Sequence, residues 1–267
     1  MVNEKLSTMM LPYYDGTKRM VRVYVPEHED GETFPVVYMT DGQNLFEDDT
    51  VQFGCWYTRE AVRAEQQKYS KAAVIVGIHN DDSPFKRTME LTPKMLAPIY
   101  FPPEVPQPAR EHFKPEGELF ADFVVNVVMP EIESLFPVKT GRDNTAFCGS
   151  SMGGLESFFV ALSYPDKFSY AGVFSPAFEV YVKDSLDEGI LLLAKHALDN
   201  APFLYFYVGG ADEQEKILAA DMERVYDIMR KVYPADKLKN VIIPENKHHE
   251  SAWQPVFQEL LHLFLYS

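Results

Sequence analysis

Cysteine and tryptophan are scarce in this chain, with two of each in 267 residues, and long apolar runs are missing altogether. So few cysteines, Cys55 and Cys148, imply no disulfide framework, and Cys148 lies in an apolar run where any small hydrophobe would serve. Nowhere do 18 apolar residues follow one another, which excludes an obvious membrane-spanning helix. The opening MVNEKLSTMMLPYYDG lacks the basic start, apolar stretch and small-residue cleavage site of a secretory signal, so a cytoplasmic location is expected. Basic residues are outnumbered, 25 Lys and Arg against 40 Asp and Glu, for a formal net charge of -15. Such a field repels nucleic acid and anionic lipid, although acidity also serves plain solubility. The partner expected is a small molecule, cationic or neutral, with no nucleic acid and no membrane. A homo-oligomer leaves no clear mark in periodicity and stays open.

What is present is ordinary globular material, 46% hydrophobic and 24% charged, enough to bury one large core. A single domain over residues 1–267 is expected. Short runs rich in β-branched and aromatic residues recur at 20–25, 36–40, 73–78, 145–148, 170–174, 203–208 and 241–243 and read as strands. Helical periodicity lies between most of them, as in Leu119, Phe120, Phe123, Val124, Val127 and Val128, or Ile217, Met222, Val225, Tyr226 and Met229. Alternating strands and helices predict an α/β fold, a mainly parallel sheet with helices on both faces. Residues 84–115 break the alternation. Eight prolines, Pro84, Pro93, Pro98, Pro102, Pro103, Pro106, Pro108 and Pro115, forbid a sustained helix or central strand there. This reads as a long excursion over the sheet, either a cover for a substrate entrance or a passive surface loop.

The sharpest chemical signal is Gly149-Ser150-Ser151-Met152-Gly153-Gly154, a G-x-S-x-G between the strand ending at Cys148 and a helix-like Leu155 to Leu162. On so tight a strand-to-helix turn the central serine is forced out at the top of the sheet. Its neighbours two away must be glycine because strand and helix backbones nearly touch. Ser151 is therefore the candidate nucleophile, and the Met152 N–H, opening the helix, a candidate oxyanion donor. The plain alternative is a Gly-rich turn in which Ser150 and Ser151 cap the helix.

A serine hydroxyl needs a base, and in the chain order Ser, Asp, His that base comes last. His248 and His249 follow the strand at 241–243 and precede a final helical stretch, and position alone does not separate them. Asp212, after the strand 203–208 and Gly209-Gly210-Ala211, is the candidate acid, with Glu213 as neighbour and rival. It would equally suit an N-cap of the following helix. A second oxyanion amide is expected from the loop Asp41-Gly42-Gln43-Asn44 after the strand 36–40, with the Gln43 N–H best placed. A metal site from His248, His249 and Glu250 is disfavoured because adjacent histidines diverge and a third ligand at suitable spacing is missing. No cofactor is called for.

Tyr38-Met39-Thr40-Asp41-Gly42-Gln43-Asn44-Leu45-Phe46, Arg87 with Glu90-Leu91-Thr92-Pro93, the Gly149 to Gly154 turn, Ser175-Pro176, Gly209 to Asp212 and His248-His249-Glu250-Ser251-Ala252-Trp253 follow one another through the chain. Together they resemble the putative esterase family, the esterase D-like group of α/β-hydrolases that includes feruloyl, acetyl xylan and enterochelin esterases. The resemblance implies Ser151 as nucleophile, Asp212 as acid, and His248 rather than His249 as base, since the His-x-Glu-x-x-Trp ending aligns on His248. Gln43 and Met152 would give the oxyanion amides. Thr40 departs from the histidine or leucine common in the family, as does the absence of a glycine near Asn246 or Lys247. Trp56, Trp253 and Phe178 are aromatic candidates for a pocket wall or plain packing. The resulting expectation is a serine esterase for small-molecule, including sugar-linked acetyl or feruloyl, esters. An acyltransferase of the same fold and a non-catalytic binding module are the alternatives.

Overall fold

The structure is a computed structural model and describes residues 1–47, 54–81, 83 and 85–267. Among these residues eight strands form one sheet in the order β1-β2-β4-β3-β5-β6-β7-β8. They are β1 (Lys5–Pro12), β2 (Lys18–Val25), β3 (Val36–Met39), β4 (Val74–Ile78), β5 (Thr145–Ser150), β6 (Tyr170–Phe174), β7 (Phe203–Val208) and β8 (Leu238–Ile242). The two pairings of β2, with β1 and β4, are antiparallel, and every pairing from β4 through β8 is parallel. The interior strands β3 and β4 are buried at every residue, as a sheet covered on both faces requires.

The helices are α1 (Thr58–Tyr69), α2 (Lys86–Glu90), α3 (Gln107–His112), α4 (Gly117–Phe123), α5 (Met129–Leu135), α6 (Met152–Ser163), α7 (Lys183–Ala197), α8 (Glu213–Val232) and α9 (Glu250–Leu265). Helices α1 and α9 pack together as one layer, while α6, α7 and α8 pack in succession as another. Between α4 and α5 a π-helical turn, Val124–Val128, carries the chain into Pro130. Proline has no N–H to donate and its ring crowds the carbonyl four residues back, and a widened turn relieves both problems. None of the helices formed by described residues is long and apolar enough to cross a membrane.

Strand β1 did not figure among the expected strands, and β8 begins three residues before the expected 241. Both lie at sheet edges, and their burial patterns are mixed, so neither shows the alternation that marks a half-buried strand. A short turn joins β1 to β2, with Tyr13 N–H donating to Thr17 O at 2.9 Å and Gly16 at φ 84°. Among its described residues the Pro-rich stretch forms the short α2 and α3 and an isolated bridge from Ile99 to Tyr181, and Pro84 lies outside the described residues. The excursion is tied down. Tyr100 N–H donates to Val180 O at 2.8 Å, Tyr181 Oη to Pro93 O at 2.5 Å, and Gly189 of α7 lies so close to Leu96 O that no side chain would fit.

Helix α6 is buried from Met152 to Leu162, and that includes Glu156. Neither Glu156 oxygen has a hydrogen-bond partner among the described residues, and burial, with Glu118 nearby, pushes its carboxyl well above the usual range. Burial thus favours the protonated carboxyl at Glu156 more in the folded chain than in the unfolded one. Stability should fall as pH rises above the ordinary carboxylate pKa, by up to about 1.4 kcal/mol per pH unit until the folded-state pKa is passed. Glu156→Gln should match the wild type near pH 5 and melt higher near pH 8. Parallel melting curves across that range would remove the argument.

Candidate active site

The sheet register sets the site. Met39 of β3 pairs with Cys148 of β5, Ser150 with Phe174 of β6, and Phe174 with Tyr207 of β7. The residues that follow, Asp41 to Asn44, Ser151, Ser175 and Gly209, emerge along one carboxyl edge, where open α/β sheets bind ligands.

Ser151 sits between β5 and α6 at φ 59°, ψ -123°, a conformation that L-residues rarely adopt. Four backbone hydrogen bonds hold it there. Its N–H donates to Phe174 O at 2.9 Å, and its carbonyl accepts from Gly154, Leu155 and Ala177 N–H at 3.0, 3.1 and 3.2 Å. The glycines are required by contact: a Cβ on Gly149 would overlap the Gly153 carbonyl, one on Gly153 the Thr40 hydroxyl, and one on Gly154 the Phe174 carbonyl. Met152 is the first residue of α6, so its N–H has no intrahelical acceptor and is left at the elbow.

Gln43 lies in the single 3₁₀ turn Gly42–Asn44 after β3, and its Nε2 donates to Asn80 Oδ1 at 2.5 Å. Asp41, at φ 53°, accepts from Arg87 Nε at 2.5 Å and Nη2 at 2.9 Å, a two-bond clamp that fixes the start of this loop. A Cβ on Gly42 would meet the Gly77 backbone at 2.5 Å, which presses the turn against β4. Arg87, from the excursion, thus reaches the carboxyl edge of the sheet.

His248 is on the loop between β8 and α9. Its Nδ1 lies 2.7 Å from Oε1 of Glu215, a side chain with no solvent exposure. The carboxylate that meets the ring is therefore Glu215's and not that of Asp212. Asp212 N-caps α8, with Oδ1 accepting from Glu215 N–H at 2.8 Å and Oδ2 from His248 N–H at 2.9 Å. These amides, Glu215's first, draw the Asp212 carboxyl below the usual range. A cap residue is held at the helix end, whereas glutamate one turn on has the reach to arrive under the imidazole. The other Glu215 oxygen, Oε2, accepts from Gly209 N–H at 2.8 Å and from Ser175 Oγ at 3.1 Å. Three donors converge on one buried carboxylate, which offsets the cost of removing it from water. The pattern Asp212-x-x-Glu215 is legible in the sequence as a capping box, and that signal could have singled out Glu215.

His249, by contrast, caps α9 through its Nδ1, 3.2 Å from Ser251 N–H, and faces Ser251 Oγ at 2.9 Å. Two further carboxyls feel His248. Burial first of all raises Glu179 and Glu250 to about 7, with Asp221 adding to the rise at Glu179 and Asp41 at Glu250. Glu250 Oε1 also accepts from Asn44 Nδ2 at 3.1 Å, which joins the last helix to the loop after β3. Trp56, Trp253 and Phe178 are all at least 96% buried and belong to the packed interior, Trp56 stacked on Phe174 with ring centroids 5.7 Å apart.

The comparisons with known proteins agree on architecture. A family model described as putative esterase matches residues 14–259. The chain is 27% identical over 164 residues to the uncharacterized protein YbbA of Bacillus subtilis, a stretch covering 61% of this chain and 58% of that protein. It superposes on the crystal structure of the BES protein from Bacillus cereus with TM-score 0.72 and 19% identity, covering 100% of this chain and 96% of the other. The siderophore hydrolase EstA of Aspergillus nidulans gives TM-score 0.71 at 20% identity, covering 98% and 95%. With the eight-stranded sheet, these likenesses establish the α/β-hydrolase fold.

Proposed function

This chain belongs to the putative esterase family, and from that premise we propose that it is a serine ester hydrolase working through Ser151, His248 and Glu215. The observation that carries the reading is the 2.7 Å contact between His248 Nδ1 and the buried Glu215. A carboxylate can only accept, so Nδ1 holds the proton and Nε2 is left with its lone pair as base. Ser151 Oγ loses its proton to Nε2 as it attacks the ester carbonyl. The oxyanion that forms is received by the N–H groups of Gln43 and Met152. Collapse expels the alcohol, which takes the proton back from the imidazolium while Glu215 holds the ring. A water, giving its proton to the same nitrogen, then attacks the acyl-Ser151, and collapse breaks the acyl–Oγ bond, the Ser151 oxygen taking that proton from the imidazolium as the carboxylic acid is freed.

Asp212 has a supporting place in this scheme. By accepting the His248 N–H it fixes the loop that delivers the base. The substrate we propose is a small-molecule ester; sugar-linked acetyl and feruloyl esters are to be screened together with siderophore esters. A fluorophosphonate probe should label the wild-type chain at Ser151, and His248→Ala should slow labelling by about 100-fold or more. Absence of labelling on the folded wild type overturns the proposal.

A further inference from the structure

Ser175 and Trp253 lie beyond the three residues of the proposed relay, yet they are joined to it by direct hydrogen bonds. Ser175 follows β6, has no solvent exposure and is held at φ 41°, a left-handed conformation unusual for serine. Its N–H donates to Tyr207 O at 2.6 Å, which prolongs the ladder between β6 and β7 by one residue. Its hydroxyl receives the Trp253 Nε1–H at 3.0 Å and passes its own hydrogen to Glu215 Oε2 at 3.1 Å. Trp253, 4% exposed on α9, also sets its ring against the His248 imidazole, with centroids 5.0 Å apart and planes at 89°.

Indole N–H is a donor only, so the direction of the chain is fixed: Trp253 donates to Ser175, and Ser175 must turn its hydrogen toward Glu215. One tryptophan thus touches the base on its ring and orients, through one hydroxyl, the carboxylate behind that base. We infer that Ser175, oriented by Trp253, is a positioning residue for the Glu215–His248 pair, aligning the carboxylate and drawing off part of its charge. The inference rests on the reading of Glu215 as the acid. A hydrogen bond that stabilises a carboxylate weakens its hold on a neighbouring proton. Without the Ser175 hydroxyl, Glu215 would bind the imidazolium more tightly and hold it less precisely. The other groups acting on His248, namely Asp212 at its backbone and Glu179 and Glu250 through their charge, are unchanged by that substitution.

The test is Ser175→Ala, with Ser175→Cys as the conservative variant that keeps a weak donor. Ser175→Ala should lower kcat on p-nitrophenyl acetate by roughly 10- to 100-fold with KM changed less than about twofold, and move the acid limb of the pH profile upward. Ser175→Cys should recover part of both. The His248 imidazole titration, followed by NMR, should move to higher pH in Ser175→Ala, and Trp253→Phe should move it the same way by less. An unmoved titration midpoint in folded Ser175→Ala overturns the inference, as does a fall in activity that follows thermal stability alone. The NMR measurement needs no turnover, so a wild type inert toward esters would sink the proposed function and leave the Ser175 result to be judged separately.

Discussion

Replacing Ser151 with alanine should abolish hydrolysis of short p-nitrophenyl esters, with kcat reduced by about 10⁴-fold or more, and leave the fold intact. That magnitude follows from losing the nucleophile of a unit whose members act together; what remains is binding and oxyanion stabilisation. The fold should survive because the turn is held by backbone hydrogen bonds, donated to the Phe174 carbonyl and accepted from Gly154, Leu155 and Ala177, none of which uses the hydroxyl. A second substitution separates activity from strain. At φ 59°, ψ -123° the Ser151 backbone stores on the order of 1–3 kcal/mol, which alanine retains and glycine relieves. Ser151→Gly should therefore melt a few degrees above Ser151→Ala, both being inactive. Retention of more than a hundredth of wild-type turnover by Ser151→Ala would remove the serine mechanism. Equal melting points for the two variants would remove the strain argument alone.

The interior of the fold was legible because its strands are buried on both faces and read as unbroken apolar runs, as in Val74–Ile78 and Phe203–Val208. The edge strands were less so: Lys5–Pro12 went unread and Leu238–Ile242 was read at its C-terminal end alone, since the one is mostly exposed or half-buried and the other has no fully buried position, and both offer little periodicity. The elbow at Ser151 was legible for a different reason: close packing of strand on helix admits glycine alone at 149 and 153, and so writes itself into the composition. Carboxylates obey no such rule. Asp212 and Glu215 share the first turn of one helix, and which of them reaches His248 depends on side-chain length and on the backbone amides that claim the shorter one. Likewise Arg87 reaches Asp41 from a Pro-rich stretch whose path was not written in any local pattern.

That division between the two carboxylates gives the second large effect. Glu215→Gln should lower kcat by about 10²- to 10⁴-fold, because an amide presents one acceptor oxygen and one NH₂ to three donors: Gly209 N–H, Ser175 Oγ–H and His248 Nδ1–H. At least one of those donors must then face the NH₂. If that donor is the imidazole, the ring flips its tautomer, Nε2 carries the proton, and the base is lost. Asp212→Asn should cost less than about tenfold in kcat, since its carboxylate meets backbone amides, those of Glu215 and His248 foremost, and an asparagine oxygen keeps one of those two bonds. Its signature belongs to stability instead. A carboxyl lowered in the folded state contributes stabilisation above the ordinary carboxylate pKa, and that contribution is lost as pH falls toward its folded value. Asp212→Asn should accordingly lower the melting point by several degrees at pH 7 and by less near pH 3. Were kcat to collapse in Asp212→Asn and hold in Glu215→Gln, the acid would be Asp212, and the static pairing of His248 with Glu215 would not be the one used in turnover.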